Sequence, residues 1–256
     1  MGNFYNSHAE LLVSQAAQRE YFYAKNNQWW QEGGYGGSTD DEEMVGDETS
    51  SSDCLEGLAF LDGLIQKNNK DNKDKNINAS LMQHKLAVDV GAGLGRVTKG
   101  ILLKHYDEIH LVEGSSAYSK RSKIKLGKKK AKRCVFTQCY LQDINSQTLG
   151  TDRPIDLIWV QWTLQYLTDC DVIECLKILA ESLRPVVGVL VVKENRPFGL
   201  QREDRFQMDT PAGEYSRYDI TRHDAHHRLL FRMAGLTVGS TERGEETNTY
   251  ELRVEK

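Results

Sequence analysis

No apolar run in this chain approaches the roughly 20 residues that a helix needs to cross a bilayer, and proline is scarce, with four in 256 residues. The first absence argues against a membrane-spanning chain. The second argues against a proline-rich spacer or fibrous repeat. Charge of one sign is also nearly missing. The formal net charge is −4, so no global field calls for nucleic acid or a membrane surface as partner. The five cysteines (Cys54, Cys134, Cys139, Cys170 and Cys175) form no C-x-x-C pair, so zinc-ribbon and thioredoxin-like chemistry has no support. The first residues, Met1-Gly-Asn-Phe-Tyr-Asn6, lack the basic and apolar regions of a secretory leader. An odd number of thiols without such a leader leads us to expect reduced cysteines and a cytoplasmic and/or nuclear setting. No metal site is expected. His223, His226 and His227 match no H-E-x-x-H pattern and are expected on the surface of an amphipathic helix.

The chain has 39% hydrophobic and 27% charged residues, the balance of a soluble globular protein large enough for one sizeable α/β domain. Residues 1–52 read as an N-terminal extension with helical periodicity through Leu11, Leu12, Ala16 and Tyr23, then a glycine-rich turn at Gly33–Gly37 and an acidic stretch at Asp40–Glu43. A helix is expected from about Asp53, and Lys67–Ser80 as a solvated Asn/Lys/Asp-rich loop. From Leu86 onward strands and helices alternate. The runs Leu86–Val90, Ile109–Glu113, Ile155–Gln161 and Val187–Val192 are almost continuously apolar, as in parallel strands buried on both faces. Thr168 is the expected N-cap of a helix reaching Leu183, and Thr221 of one reaching Ala234, closed by Gly235. Two final strands, Leu236–Thr241 and Tyr250–Val254, suit an antiparallel edge. The expected fold is a doubly wound α/β sheet with helices on both faces and an N-terminal helical extension.

The most informative segment is Ala87-Val-Asp-Val-Gly-Ala-Gly-Leu-Gly-Arg-Val-Thr98. A strand ends at Asp89-Val90, glycines follow at 91, 93 and 95, and a helix begins near Arg96. Such a turn lets the backbone approach a nucleotide-like ligand at a helix N-terminus. Its G-x-G-x-G spacing differs from the G-x-G-x-x-G of dinucleotide folds. Later strand ends carry further groups: Glu113, able to accept two hydroxyls; Leu141-Gln142-Asp143, able to face a flat heterocycle; and Gln161-Trp162. Arg96 is placed to pair with a carboxylate. Plainer roles stand beside these: Trp162 as a core aromatic, Tyr166 as a buried tyrosine bonded to backbone, Asp219 as a helix-flanking charge, Gln161 as a partner for a buried turn.

These motifs resemble a known family. Val88-Asp-Val-Gly-Ala-Gly-Leu-Gly-Arg-Val-Thr-Lys99, Leu141-Gln-Asp143, Asp156-Leu-Ile-Trp-Val-Gln-Trp162 with Leu167-Thr-Asp169, Leu183-Arg-Pro185 and Val192-Lys-Glu-Asn195 look like the α-N-terminal protein methyltransferases. Those enzymes use S-adenosylmethionine (SAM) to methylate the free α-amine of proteins beginning X-Pro-Lys or X-Pro-Arg. The resemblance implies a Rossmann-like class I SAM-methyltransferase domain over residues 53–256, with residues 1–52 as a substrate-side lid. It implies SAM contacts from Gly91, Gly93, Arg96, Glu113, Leu141, Gln142 and Gln161. It places Gly34, Tyr35, Trp162 and Asn195 along a substrate channel, with Asn195 on the first residues of the peptide. The chemistry of methylating an amine adds the expectation that Tyr166 and an acid among Asp209, Glu214 and Asp219 orient the amine and pass on its proton, and that Glu214 lies on the substrate side. Three features depart from the pattern. Tyr166 stands where the family has His. Arg217-Tyr-Asp-Ile-Thr-Arg222 replaces a motif that begins with Asp. The Trp29-Trp30 pair precedes the glycine turn by a shorter spacer. A SAM methyltransferase acting on a small molecule or RNA, and a SAM-binding module without turnover, are the alternatives. The basic run Lys120–Arg133, which has no acid, leaves nucleic acid open as a partner and equally suits a solvated helix end.

Overall fold

The computed structural model describes residues 2–32, 47–74, 84–197, 206–211, 217–244 and 246–254. Alternation within the parallel strands builds two cores at once, because successive side chains point to opposite faces. In β2 (Leu86–Val90), β5 (Leu157–Gln161) and β6 (Val189–Asn195), Val88, Val90, Ile158, Val160, Leu190 and Val192 face one side. Ala87, Leu157, Trp159, Val189 and Val191 face the other. On the first face lie α1 (His8–Gln31), α5 (Asp169–Ser182) and α6 (Asp224–Met233); on the second lie α2 (Asp47–Asp74), α3 (Arg96–Gly100) and α4 (Ser116–Ala131). β3 (Glu108–Glu113), β4 (Cys134–Gln138), β8 (Leu236–Arg243) and β9 (Thr247–Val254) complete a seven-stranded sheet ordered β4-β3-β2-β5-β6-β9-β8. β9 runs antiparallel to both β6 and β8, so the last two strands form the antiparallel edge expected of them. Strand order reverses between β2 and β5, and a crevice opens at such a switch point.

Local chemistry sets most boundaries. The Thr168 hydroxyl accepts the Asp171 N–H at 3.4 Å and starts α5, whose Val172, Ile173, Leu176 and Leu179 form the buried stripe. Each such side chain contributes about 1.5–3 kcal/mol on burial. Gly235, at φ 73°, closes α6.

Four features differ from expectation. First, α2 begins at Asp47 and continues to Asp74, so residues 67–74 of the expected loop are helical, and 75–80 lie outside the described residues. Its distal half is tied to β9, with Lys67 Nζ 3.0 Å from Glu251 and Arg253 donating to the Asn68 side-chain Oδ1 at 2.5 Å. Second, the cap of α6 is His223, whose Nδ1 accepts the His226 N–H at 3.2 Å, while Thr221 precedes the helix. Third, His223, His226 and His227 are buried, not on the surface. His226 is drawn inward by Asp169, 57 residues away in sequence. Fourth, a two-stranded antiparallel pair, β1 (Gly2–Tyr5) with β7 (Phe206–Asp209), anchors the start of α1. Ser7 caps α1 by accepting the Glu10 N–H at 3.3 Å. Among the described residues no helix is long and apolar enough to cross a membrane.

Candidate active site

The turn after β2 is held against β3. Both Gly91 N–H and Ala92 N–H donate to the Val112 carbonyl, at 2.9 and 3.1 Å. Gly91 (φ 70°) and Gly93 (φ 52°) lie in the left-handed region that favours glycine. A Cβ on Gly91 would meet Thr163 Oγ1 at 2.2 Å, so the turn packs on the loop after β5. A Cβ on Gly93 would meet nothing within 4 Å; it would project into open space. Asp89 secures the following helix: its Oδ2 accepts the Thr98 N–H at 3.0 Å and the Thr98 hydroxyl at 2.6 Å. Burial raises the Asp89 carboxyl to about 6.

Above this turn lies a cavity of about 1030 Å³, counting its open mouth. Every cofactor residue expected from the sequence lines it: Gly91, Gly93, Arg96, Glu113, Leu141, Gln142 and Gln161. Glu113 spans its floor, with Oε2 accepting the Gly93 N–H and Oε1 the Ser115 N–H, both at 2.8 Å. Burial raises its pKa, partly offset by these donors. Each oxygen retains a further lone pair for a diol. Leu141 and Gln142 sit on a single 3₁₀ turn, Leu141 buried. Gln142 reaches the Asn27 side chain at 3.4 Å. Trp162, on the cavity wall, adopts φ 54°, and its Nε1 is buried with no hydrogen-bond partner. An orphaned donor and a cradle that a Cβ would fill suit a polar nucleoside ligand.

The N-terminal segment, expected as a lid on the substrate side, covers the cofactor cavity as well. Tyr23, Asn26, Asn27 and Trp30 of α1 close the cavity from above, and Tyr118 and Tyr140 flank it. The Tyr23 hydroxyl donates to Asp171 at 2.6 Å, fixing α1 on α5. Burial, and then that bond, raise the Tyr23 pKa well above its usual value. The cavity's inner wall rests on Asp53 of α2, which was not foreseen. Its carboxylate takes the Gln161 amide at 2.8 and 2.9 Å, Lys193 Nζ at 2.7 Å, and Arg96 Nη1. Gln161 Oε1 accepts the Trp159 indole N–H at 2.9 Å, so both ends of this amide are anchored in the wall. Arg96 also lies over the Trp162 ring, 4.7 Å from its centroid.

Beside the mouth stand the residues expected for the substrate side. Trp30 and Tyr166 meet edge to face at 5.2 Å. Arg217 lies 4.5 Å from the Trp29 centroid and 5.8 Å from that of Tyr166, and ion-pairs with Asp219 at 3.7 Å. Asp219 is bridged to Asp209 through backbone bonds, and its Oδ1 is buried without a hydrogen-bond partner. Burial raises its pKa to about 6 against the pull of Arg217. Asn195, at the end of β6, donates to Gln165 Oε1 at 3.1 Å. Its neighbour Glu194 accepts the Thr163 and Leu164 N–H groups at 2.7 and 2.8 Å, and burial raises it to about 7. Asn195 and Asp219 do not line the cofactor cavity itself; they lie beside Gln165 and Arg217. Gly34, Tyr35 and Glu214 fall outside the described residues.

Behind the mouth, Asp169 is a fully buried hub. Arg222 donates to its Oδ1 from Nε and Nη2 at 2.9 and 2.7 Å, and His8 and His226 meet its Oδ2 at 2.8 and 2.7 Å. Arg222 also donates to the Leu164 and Leu167 carbonyls, both at 2.7 Å, shaping the turn that carries Tyr166. The pair of histidines and the carboxylate have the composition of a metal site, but the Arg222 guanidinium already neutralises that carboxylate. Hydrogen bonding accounts for the cluster.

A family model described as an AdoMet-dependent proline di-methyltransferase matches residues 18–253. Alpha N-terminal protein methyltransferase 1 of Arabidopsis thaliana is 29% identical over 196 residues, covering 75% of this chain and 63% of that protein. N-terminal Xaa-Pro-Lys N-methyltransferase 1 of Bos taurus is 31% identical over 159 residues, covering 62% and 65%. The matched part thus spans less than two thirds of these relatives. Among solved structures, a SAM-dependent methyltransferase of Leishmania major superposes with a TM-score of 0.69 at 23% identity, over 92% of this chain and 85% of that one. The cavity at the switch point of a seven-stranded sheet is therefore that of a SAM-methyltransferase fold, and the chain belongs to the AdoMet-dependent proline methyltransferase family.

Proposed function

We propose that this chain transfers methyl groups from SAM to the free α-amine of protein N-termini of the X-Pro-Lys/Arg type. The observation that carries the reading is an aromatic mouth, Trp30, Trp162 and Tyr166, opening from the cofactor cavity near two carboxylates of raised pKa, the buried Glu194 and the half-buried Asp219. That arrangement suits an amine that must shed a proton and becomes a cation as it is methylated.

Gly91, Gly93 and Arg96 receive the amino-acid end of the cofactor, Glu113 the ribose, and Leu141 and Gln142 the adenine. Gln161 closes the inner wall. When bound, SAM supplies an electrophilic methyl group, so the protein's work is to present a lone pair in line and to exclude water. An α-amine has an ordinary pKa of about 8, and a nearby carboxylate needs to take its proton only briefly. Asp219 is suited to this. Its Oδ1 has an unused acceptor position, and a pKa of about 6 leaves it ionised at neutral pH yet basic enough to accept a proton. Asn195 Nδ2 is committed to Gln165, which turns its carbonyl oxygen to the task of fixing the first residues of the peptide. Trp162 and Tyr166 present aromatic faces to the growing ammonium. Gly34, Tyr35 and Glu214, assigned to the substrate side from the sequence, lie outside the described residues.

The test offers the enzyme with SAM four peptides: one beginning Ser-Pro-Lys, its α-acetylated form, and forms with Gln or Glu at position three. The reading expects methylation of the free Ser-Pro-Lys peptide, none of the acetylated one, and weaker turnover without the basic residue. Equal turnover of the acetylated peptide contradicts it.

A further inference from the structure

The resemblance supplies no role for Asp53, yet the structure gives this carboxylate three side-chain partners, Arg96, Gln161 and Lys193, behind the cavity wall. We propose that Asp53 is a positioning residue for cofactor binding: it orients the Arg96 guanidinium toward the cavity and, with Lys193, sets the charge felt by the cofactor's amino-acid end.

Several observations converge. Asp53 is 5% exposed and does not line the cavity, whereas Arg96 does. Any effect on a ligand therefore passes through the cavity-lining residues that Asp53 holds, Arg96 and Gln161, and of these Arg96 alone carries charge. Arg96 approaches Asp53 through Nη1, and its Cζ lies over the Trp162 ring, 4.7 Å from the centroid. A guanidinium gripped at one corner and lying over a ring keeps few rotamers, which restricts the heading of its remaining N–H groups. The Asp53 carboxylate is in turn immobile, because Gln161 Nε2 and Lys193 Nζ hold it from the sheet.

Charge makes the second half of the argument. A lone buried carboxylate beside the site would repel a ligand carboxylate. Here two cations, the half-buried Arg96 and the buried Lys193, share Asp53, and they hold its pKa below the usual carboxylate value although burial alone would raise it. Lys193 is 1% exposed, and its other acid, Glu56 at 3.2 Å, is half exposed and screened by solvent. Of this trio Arg96 alone lines the cavity, so it is the positive group offered to a ligand carboxylate. Because Asp53 sits on α2, seating of this helix and seating of the ligand's carboxylate are linked through one side chain.

The experiment measures binding rather than turnover. Titration calorimetry compares S-adenosylhomocysteine with methylthioadenosine, which shares its nucleoside and thioether but lacks the amino-acid end, on wild type, Asp53→Asn, Arg96→Met and the double variant. The proposal expects Asp53→Asn to weaken S-adenosylhomocysteine about tenfold or more and to leave methylthioadenosine within about twofold. On the Arg96→Met background, Asp53→Asn adds nothing further. Unchanged homocysteine-ligand affinity, equal weakening of both ligands, or additivity with Arg96→Met overturns it. If Asp53→Asn does not fold, Asp53→Glu keeps the charge, shifts it by one methylene, and is read by the same comparison. Wild type that binds neither ligand removes the whole methyl-transfer reading. Wild type that binds both while Asp53→Asn behaves normally removes this inference alone.

Discussion

Asp169→Asn is the sharpest test of how the mouth of the site is built. The substitution keeps shape and removes one charge from a position with no solvent exposure, facing an Arg222 that is also fully buried. Removing one partner of a buried ion pair strands the other, and the cost is about 3–5 kcal/mol. The amide oxygen still accepts from Arg222, but its nitrogen then faces His8 and His226, which must switch from donating to accepting. Set against the about 5–15 kcal/mol of a typical domain, this is a large fraction, and for a chain of this size it lowers Tm by roughly 10 °C. Urea unfolding at pH 7 and a thermal melt measure it. The pH dependence gives a second reading. Arg222 and the two histidines hold Asp169 well below the ordinary carboxylate pKa, although burial opposes them. A depressed carboxylate stabilises above its unfolded pKa of about 4, and that contribution is lost as pH falls below it. Wild type should therefore lose stability on acidification below pH 4 more steeply than Asp169→Asn does. His226, whose pKa is lowered chiefly by burial, adds a loss that begins as pH falls through about 6.5, where the unfolded ring takes up a proton. Asp169→Asn within about 1 kcal/mol of wild type at pH 7 would refute the hub.

Other substitutions probe the rest. Glu194 is raised from its ordinary value to about 7, so its stabilising contribution is present below pH 4.5 and lost as pH rises through 7. Glu194→Gln, which still accepts from Thr163 and Leu164, should gain roughly 2–3 kcal/mol over wild type at pH 8.5 and nothing at pH 4; denaturant titrations at the two pH values decide it. Gly91→Ala combines a positive φ with a Cβ 2.2 Å from Thr163 Oγ1, so a loss of about 2 kcal/mol and weaker S-adenosylhomocysteine binding are expected in melts with and without ligand. Asp219→Asn should abolish the acidic limb near pH 6 in the kcat/KM profile for peptide while leaving S-adenosylhomocysteine affinity intact.

The parts of the site that lie at strand ends were legible in the sequence. Gly91, Gly93, Glu113, Leu141, Gln142 and Gln161 all follow short apolar runs, and a parallel sheet collects strand ends at one edge. All of them line the cavity. Arg96 lines the cavity too, but its anchor is not legible, because Asp53 reaches it from a helix 43 residues earlier. A lid from residues 1–52 is legible as a whole, but most of the residues that form it are not. The face of α1 that covers the cavity carries Tyr23, Asn26, Asn27 and Trp30, a mixed polar and aromatic set without an apolar stripe, and periodicity arguments pass over such faces. The buried histidines of α6 illustrate the limit most clearly. Nothing local distinguishes His226 from a solvated residue; its environment is set by Asp169 and His8, which the fold brings from two other helices. The β1–β7 pair was invisible because each strand has four residues and the partners are some 200 positions apart.

The central claim is that the methyl group goes to the α-amine at a chain end. Tandem mass spectrometry of the product from a Ser-Pro-Lys peptide tests it most directly. The account predicts added mass in multiples of about 14 Da on the first-residue fragment, with the lysine side chain unmodified. Methylation confined to the lysine ε-amine, or transfer to no peptide by an enzyme shown to bind SAM, contradicts it.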